Sequence, residues 1–119
     1  MKIVIDDISV PSGNRLIRMH WAVRRKLIKD WYWLILAGAK GTDKVNYYRY
    51  VKITGIVKRR MDDTNFRTAC DKLINDNLKK LLLIEDDFLT KCSFDYIQEV
   101  AKGKKPQITI ELFDNKGGE

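Results

Sequence analysis

The feature that most restricts the fold of this 119-residue chain is a repeated switch in apolar spacing, from two residues to three or four and back. Ile3 and Ile5, then Ile8 and Val10, recur at two-residue steps with a slip of phase at Asp6-Asp7. That pattern predicts a half-buried strand with a bulge, and Pro11-Ser12-Gly13-Asn14 predicts its exit loop. From about Trp21 to Gly38 the spacing lengthens: Val23, Leu27, Trp31, Leu34 and Ile35 fall on one stripe, with Arg24, Arg25, Lys26 and Lys29 on the other faces. This is the signature of an amphipathic helix with a basic flank.

After a polar linker, Gly41 to Asn46, the two-residue step returns in Val51, Ile53, Gly55 and Val57, and this strand runs into Lys58-Arg59-Arg60. Asp62-Asp63-Thr64-Asn65 supplies cap-type residues directly before Phe66, Ala69, Cys70, Leu73, Ile74, Leu78 and Leu81, a second helical stripe. Cys92, Phe94 and Tyr96 alternate into a third strand. Gly103-Lys104-Lys105-Pro106 then turns the chain into Ile108, Ile110 and Leu112 of a fourth. The predicted order is β-α-β-α-β-β. It implies an α+β fold, a single domain over residues 1–113 with a small mixed sheet against two helices, and a flexible tail over 114–119.

Composition narrows the partners. Lys and Arg number 23 against 16 Asp and Glu, a net charge of +7, which favours a polyanionic partner, nucleic acid first. The competing reading is an ordinary solvated basic surface. Cys70 and Cys92 have neither zinc-site spacing nor the density of a disulfide framework, so a reducing compartment is expected. The longest apolar run, Trp31 to Ala39, is too short to span a bilayer, so neither membrane association nor export is expected.

Three groups of residues carry potential chemistry: Asp62 and Asp63 after the basic strand end, Lys72 and Asp76 on the second helix, and Asp86 and Asp87 beyond it. Carboxylates crowded at one place are costly without a cation. Mg²⁺ suits them, since it takes hard oxygen ligands, usually one or two carboxylates with waters and phosphate oxygens. Phosphodiester hydrolysis is the chemistry such a site supports, with Lys72 placed to neutralise charge on the phosphate. Helix capping by the same aspartates is the simpler account of Asp62 and Asp63.

The stretch Arg59-Arg60-Met61-Asp62-Asp63-Thr64-Asn65, followed by Lys72, Asp76 and Asp86-Asp87, resembles the RusA family of Holliday-junction resolvases. Pro11-Ser12-Gly13-Asn14-Arg15 is similar to that family's opening motif, and Leu16 to Trp21 resembles its phage-borne branch. The resemblance implies a homodimeric endodeoxyribonuclease in a bacterial host cytoplasm that resolves four-way DNA junctions by paired symmetric nicks. It implies Mg²⁺, with Mn²⁺ as a substitute, and no small-molecule cofactor.

Carried over by position, the resemblance makes Asp62 and Asp87 metal ligands and Lys72 their catalytic partner, with Asp63, which does not match by position, as the candidate third ligand and Asn65, Asp76 and Asp86 in support. Arg15, Arg18, Arg24, Arg25, Lys58, Arg59 and Arg60 are the expected DNA contacts. Two departures from the family pattern stand out. Thr64 occupies the place of the usual second aspartate, with Asp63 as the candidate replacement, and the interval from Asn65 to Lys72 is about one helical turn longer, roughly 5 Å along the axis.

Other residues have simpler accounts. His20, beside Trp21, reads as a packed or backbone-bonded side chain, and Trp31 reads as core. Two further functional readings use the same residues: a branched-DNA-binding protein whose catalysis is weakened by Thr64, and an RNA-binding module, which would lack the aromatic sheet signature of common RNA-binding folds.

Overall fold

The computed structural model describes residues 1–39, 47–85 and 92–115. Strand β1 spans Lys2–Asp6, with Ile3 and Ile5 buried between outward-facing Lys2, Val4 and Asp6. The expected bulge is instead the strand's end. Asp7 takes a left-handed backbone (φ 60°), a region that Asp tolerates better than most residues. Past that turn, Ile8 and Val10 reach the core from irregular chain.

The expected exit loop is also shorter than predicted, because it contains a helix start. Ser12 Oγ accepts the Arg15 N–H at 3.2 Å and caps α1 (Gly13–Arg18), whose Leu16 is buried. Helix α2 (Trp21–Gly38) follows, and His20 Nδ1 caps it by accepting the Ala22 N–H at 3.2 Å, the backbone-bonded role expected of this histidine. Of its apolar stripe, Trp31 and Ile35 are buried and Leu27 and Leu34 partly so, whereas Val23 faces outward.

Strand β2 (Tyr50–Val57) leads to α3 (Asp63–Cys70), a π-helical turn (Asp71–Asn75) and α4 (Asp76–Lys80), which run on without a break as one helical rod. The π turn has a physical origin in the sequence. Phe66, Cys70, Ile74 and Leu78 repeat every four residues, and on a 3.6-residue helix each such step over-rotates by about 40°. A wider turn removes that drift and keeps all four side chains buried. Strands β3 (Ser93–Val100) and β4 (Gln107–Phe113) complete the chain's elements.

The sheet order is β1-β4-β2-β3, with β2 and β3 parallel and β4 antiparallel to both β1 and β2. The registers Ile3↔Ile110, Ile53↔Ile110 and Ile53↔Tyr96 put the inward-facing residues of all four strands on one surface. Trp31, Ile35, Phe66, Leu73, Ile74 and Leu78 close over that surface in one core. The fold is therefore α+β in a single domain, as the spacing predicts, with a short extra helix before α2. Among the described residues, no helix is long and apolar enough to cross a membrane.

Strand direction fixes where the candidate residues stand. Asp62 and Asp63 follow the C-terminal end of β2. At its other end, Tyr48 N–H donates to the Leu83 carbonyl and Ser93 N–H donates to that of Arg49, both at 2.9 Å. Glu85 and Cys92 belong to this opposite end, one strand length away, which for eight residues is about 26 Å. Asp86 and Asp87, the linker 41–46 and the tail from 116 lie outside the described residues.

Candidate active site

The start of α3 is organised by short-range polar contacts. Asp62 is its N-cap: Oδ1 accepts the Thr64 N–H at 2.8 Å, leaving the second carboxylate oxygen for another partner. Asp63, in the first turn, accepts from Arg60 Nη2 at 2.6 Å and from Gln98 Nε2 at 3.3 Å. Gln98 fastens this turn to β3, since its amide also accepts from Met61 N–H at 3.0 Å and donates to the Met61 carbonyl at 2.8 Å.

Asn65 links the turn to the N-terminal motif. Its Oδ1 accepts the Asn14 N–H at 3.2 Å, across 51 residues of sequence. Gly13 permits this approach, because a Cβ there would stand 2.8 Å from Thr68 Cβ and 3.0 Å from the Asn65 carbonyl. Pro11-to-Arg15 and Asp62-to-Asn65, read separately in the sequence, thus form one contact surface. Arg15 and Arg18 are carried on α1 beside it, both exposed.

Lys72 stands apart from this surface. Ten residues beyond Asp62 on the same rod, it is about 15 Å along the axis at helical rise, exposed on the π turn. Its electrostatic neighbour is Asp76, whose carboxyl is raised above its ordinary value by burial and by Asp71, with Lys79, Lys72 and Lys80 pulling it back down. The Lys79 ammonium is 3.9 Å from Asp76 Oδ1. The structure therefore groups Asp62, Asp63 and Asn65 at one place and Lys72 with Asp76 at another.

A second polar group adjoins the π turn. Asn75 Nδ2 donates to Tyr96 Oη at 2.9 Å and, at 3.5 Å, to Asp71 Oδ1, and Arg67 lies over the Tyr96 ring at 5.7 Å. Burial pushes the Tyr96 hydroxyl up to about 12, opposed by the hydrogen bond with Asn75. Asp63, Phe66, Arg67, Phe94, Asp95 and Tyr96 line a small cavity of about 200 Å³ between helix and sheet edge. Asp95 Oδ2 accepts the Tyr50 hydroxyl at 2.6 Å. The sequence reading missed Gln98, Asp95 and Asp71. Gln98 left one signal, a polar residue in the inward phase of Phe94 and Tyr96.

The remaining basic residues are dispersed. Arg24 donates to the Ile17 carbonyl at 3.4 Å and Arg25 lies 5.7 Å over the Trp21 ring, both on α2. Lys58 and Arg59 are exposed just past β2, and Arg60 is held by Asp63. For a hard cation the turn at Asp62 offers suitable donors, two adjacent carboxylates and little else, which suffices for an ion that draws most of its ligands from water and phosphate. Among the described residues, no three His, Cys, Asp or Glu side chains are grouped to hold a metal. A scan against protein-family models gave no match to this chain, and neither did a search of curated proteins.

Proposed function

We propose that the chain is a structure-selective endodeoxyribonuclease that cuts four-way DNA junctions by Mg²⁺-dependent phosphodiester hydrolysis, acting as a homodimer in a bacterial host cytoplasm. The observation that carries this reading is the Asn14–Asn65 hydrogen bond, with Gly13 seated on Thr68. It joins the two motifs whose order suggested the activity, with exposed arginines on one side and carboxylates on the other. Asp62 and Asp63 would hold the Mg²⁺, with its remaining ligands drawn from water and phosphate oxygens. The bound ion would supply water activation and charge neutralisation at the scissile phosphate.

The chain's own residues then have distinct tasks. Arg15 and Arg18 hold phosphates beside the turn, Arg60 and Gln98 orient Asp63, and Asn65 fixes the angle between α1 and α3. A two-fold dimer would offer two such surfaces to the two equivalent strands of a junction. The test is incubation of the purified chain with an end-labelled synthetic four-way junction and with linear duplex, each with and without Mg²⁺. Paired nicks on the junction alone, dependent on Mg²⁺, are expected; Mg²⁺-independent or absent cleavage overturns the reading.

A second reading is favoured by particular contacts. Asp63 is engaged by Arg60 and Gln98, Thr64 offers no carboxylate, and Lys72 lies two to three turns from Asp62. These fit a branched-DNA-binding protein with weakened catalysis. Calorimetric titration with Mn²⁺ separates the two: stoichiometric binding supports the nuclease, and junction binding without metal binding supports the second reading.

A further inference from the structure

Lys58, already an expected DNA contact, belongs to a second basic surface where β2 and β3 end, whose other lysines have no role assigned above. Lys58, Lys102, Gly103, Lys104, Lys105 and Pro106 line a cavity of about 370 Å³. Two features of the backbone assemble it. Val57 and Val100 are register partners, and the Ala101 N–H donates to the Val57 carbonyl at 3.1 Å, so Lys58 and Lys102 leave the sheet side by side. Gly103 then takes φ +83°, a left-handed conformation natural to glycine, and the reversal brings Lys104 and Lys105 back to the same cavity.

Four ammonium groups around one cavity repel each other unless an anion joins them. Among the described residues, Lys105 alone of the four has a carboxylate within ion-pair distance, Asp7 at 3.7 Å, and both members are largely solvent-exposed, so the pair is weak and easily exchanged. The surface is also continuous with the candidate site. Lys58 is followed by Arg59 and Arg60, Arg60 holds Asp63, and Asp63 is tied to Gln98 on the strand that leads to Lys102.

We infer that this lysine-lined cavity binds the phosphate backbone of the DNA strand that passes the Asp62–Asp63 turn, a contact that rests on the nuclease or DNA-binding reading above. The cavity is open and cationic, with no buried polar group to read a base edge, so it holds the backbone without regard to sequence. It positions the arm of the substrate beyond the cut.

The test is the salt dependence of binding, measured by fluorescence anisotropy on a labelled four-way junction and on linear duplex, with chelator present so that no strand is cut. Each phosphate contact contributes about 0.9 to the slope of log affinity against log salt, so Lys58→Ala/Lys102→Ala/Lys104→Ala should reduce it by about 2.7. The control is Lys26→Ala/Lys29→Ala/Lys80→Ala, which removes the same charge from a second basic cavity formed by α2 and α4. It should leave the slope within one unit of the parent, and the Lys58→Arg/Lys102→Arg/Lys104→Arg chain should restore it. All six positions carry solvent-facing ammonium groups, and circular dichroism melts verify folding. A parental slope in the first triple variant, or equal losses in both alanine triples, overturns this inference and leaves the nuclease reading intact. Failure of the parent chain to bind either DNA overturns both.

Discussion

The two parts of the helical rod over residues 63–80 treat their polar groups in opposite ways. At its first turn, Asp62, Asp63 and Asn65 are exposed or half-exposed, and each accepts a hydrogen bond from a neighbour on another segment or on the backbone. Around the π turn, Asn75 and Asn77 are fully buried. Their amide nitrogens donate, Asn77 to the carbonyls of Ile28 and Leu73 at 3.0 and 2.7 Å. Their Oδ1 atoms find no partner among the described residues. Leaving a buried acceptor unmet costs on the order of 1–3 kcal/mol. Solvent-facing bonds can be exchanged for a ligand at little cost, whereas the interior asparagines lock α2, the rod and β3 together. The first turn is built to meet something; the middle of the rod is built to stay where it is.

Substitutions can break or sharpen this contrast. The largest effect is expected at Asp62. Asp62→Asn keeps an oxygen for the Thr64 N–H but loses a carboxylate, and junction nicking should fall by at least roughly a hundredfold while junction binding holds or tightens, as seen in paired cleavage and anisotropy assays. Lys72→Ala should match that loss, about 10²–10³ in rate, only if the rod's two parts serve one site. Parental nicking by Lys72→Ala would confine the chemistry to the first turn. Asp87→Asn belongs to the same comparison, and parental nicking there removes Asp87 from the site.

Next in size is the interior. Asn75→Ala strips the hydrogen bond from Tyr96 and opens a gap, so denaturant unfolding should register a loss of about 1–3 kcal/mol. A change below half that would mean the π turn is not held by this amide. Asp63→Asn should then cost less than about 1 kcal/mol, as for any exposed pair, because Arg60 and Asp63 are more than half exposed. Its effect on nicking decides its role: near-complete loss makes it the replacement for the carboxylate absent at Thr64, and parental nicking makes it an orienting partner of Arg60.

The smallest effect is on pH dependence. Burial, then Asp71, raises the Asp76 carboxyl above its ordinary 3.8, so the folded chain keeps this proton at pH values where the unfolded chain has lost it. Stability from this group is therefore greatest below pH 3.8 and is lost as pH rises through the folded value. Asp76→Asn should flatten that part of the stability profile, measured by thermal melts across mildly acidic pH. An unchanged profile would show that Asp76 is solvated in both states.

Much of the architecture was legible because it depends on short-range spacing. The stripe from Val23 to Ile35, closed by Gly38, matched α2 at both ends, and the alternations at Val51–Val57 and Ile108–Leu112 matched strands. Six-residue α1 escaped because it is less than two turns long, too short to show a period. The four-residue step from Phe66 to Leu78 carried the π turn in plain sight, yet its meaning depended on what the stripe had to face. The candidate site was half legible. Local sequence marks Asp62–Asn65 as a turn and cap, but the distance to Lys72 and the hold of Gln98 on Asp63 arise from how β3 meets the rod, which no local pattern encodes.

The position of β1 has a consequence for how the chain is made. Among the described residues its one hydrogen-bonded neighbour in the sheet is β4, and Ile5 meets Ile108 across about a hundred residues. At roughly 5–20 residues per second of synthesis, Ile5 leaves the ribosome some 5–20 seconds before its partner exists. During that interval the apolar side of β1 has no sheet to join, and β2 lacks the strand that separates it from β1. Closure of the sheet waits for β4, and an arrest before Gln107 leaves β1 without its strand partner, with only α2 to pack against, for chaperones or proteases to find.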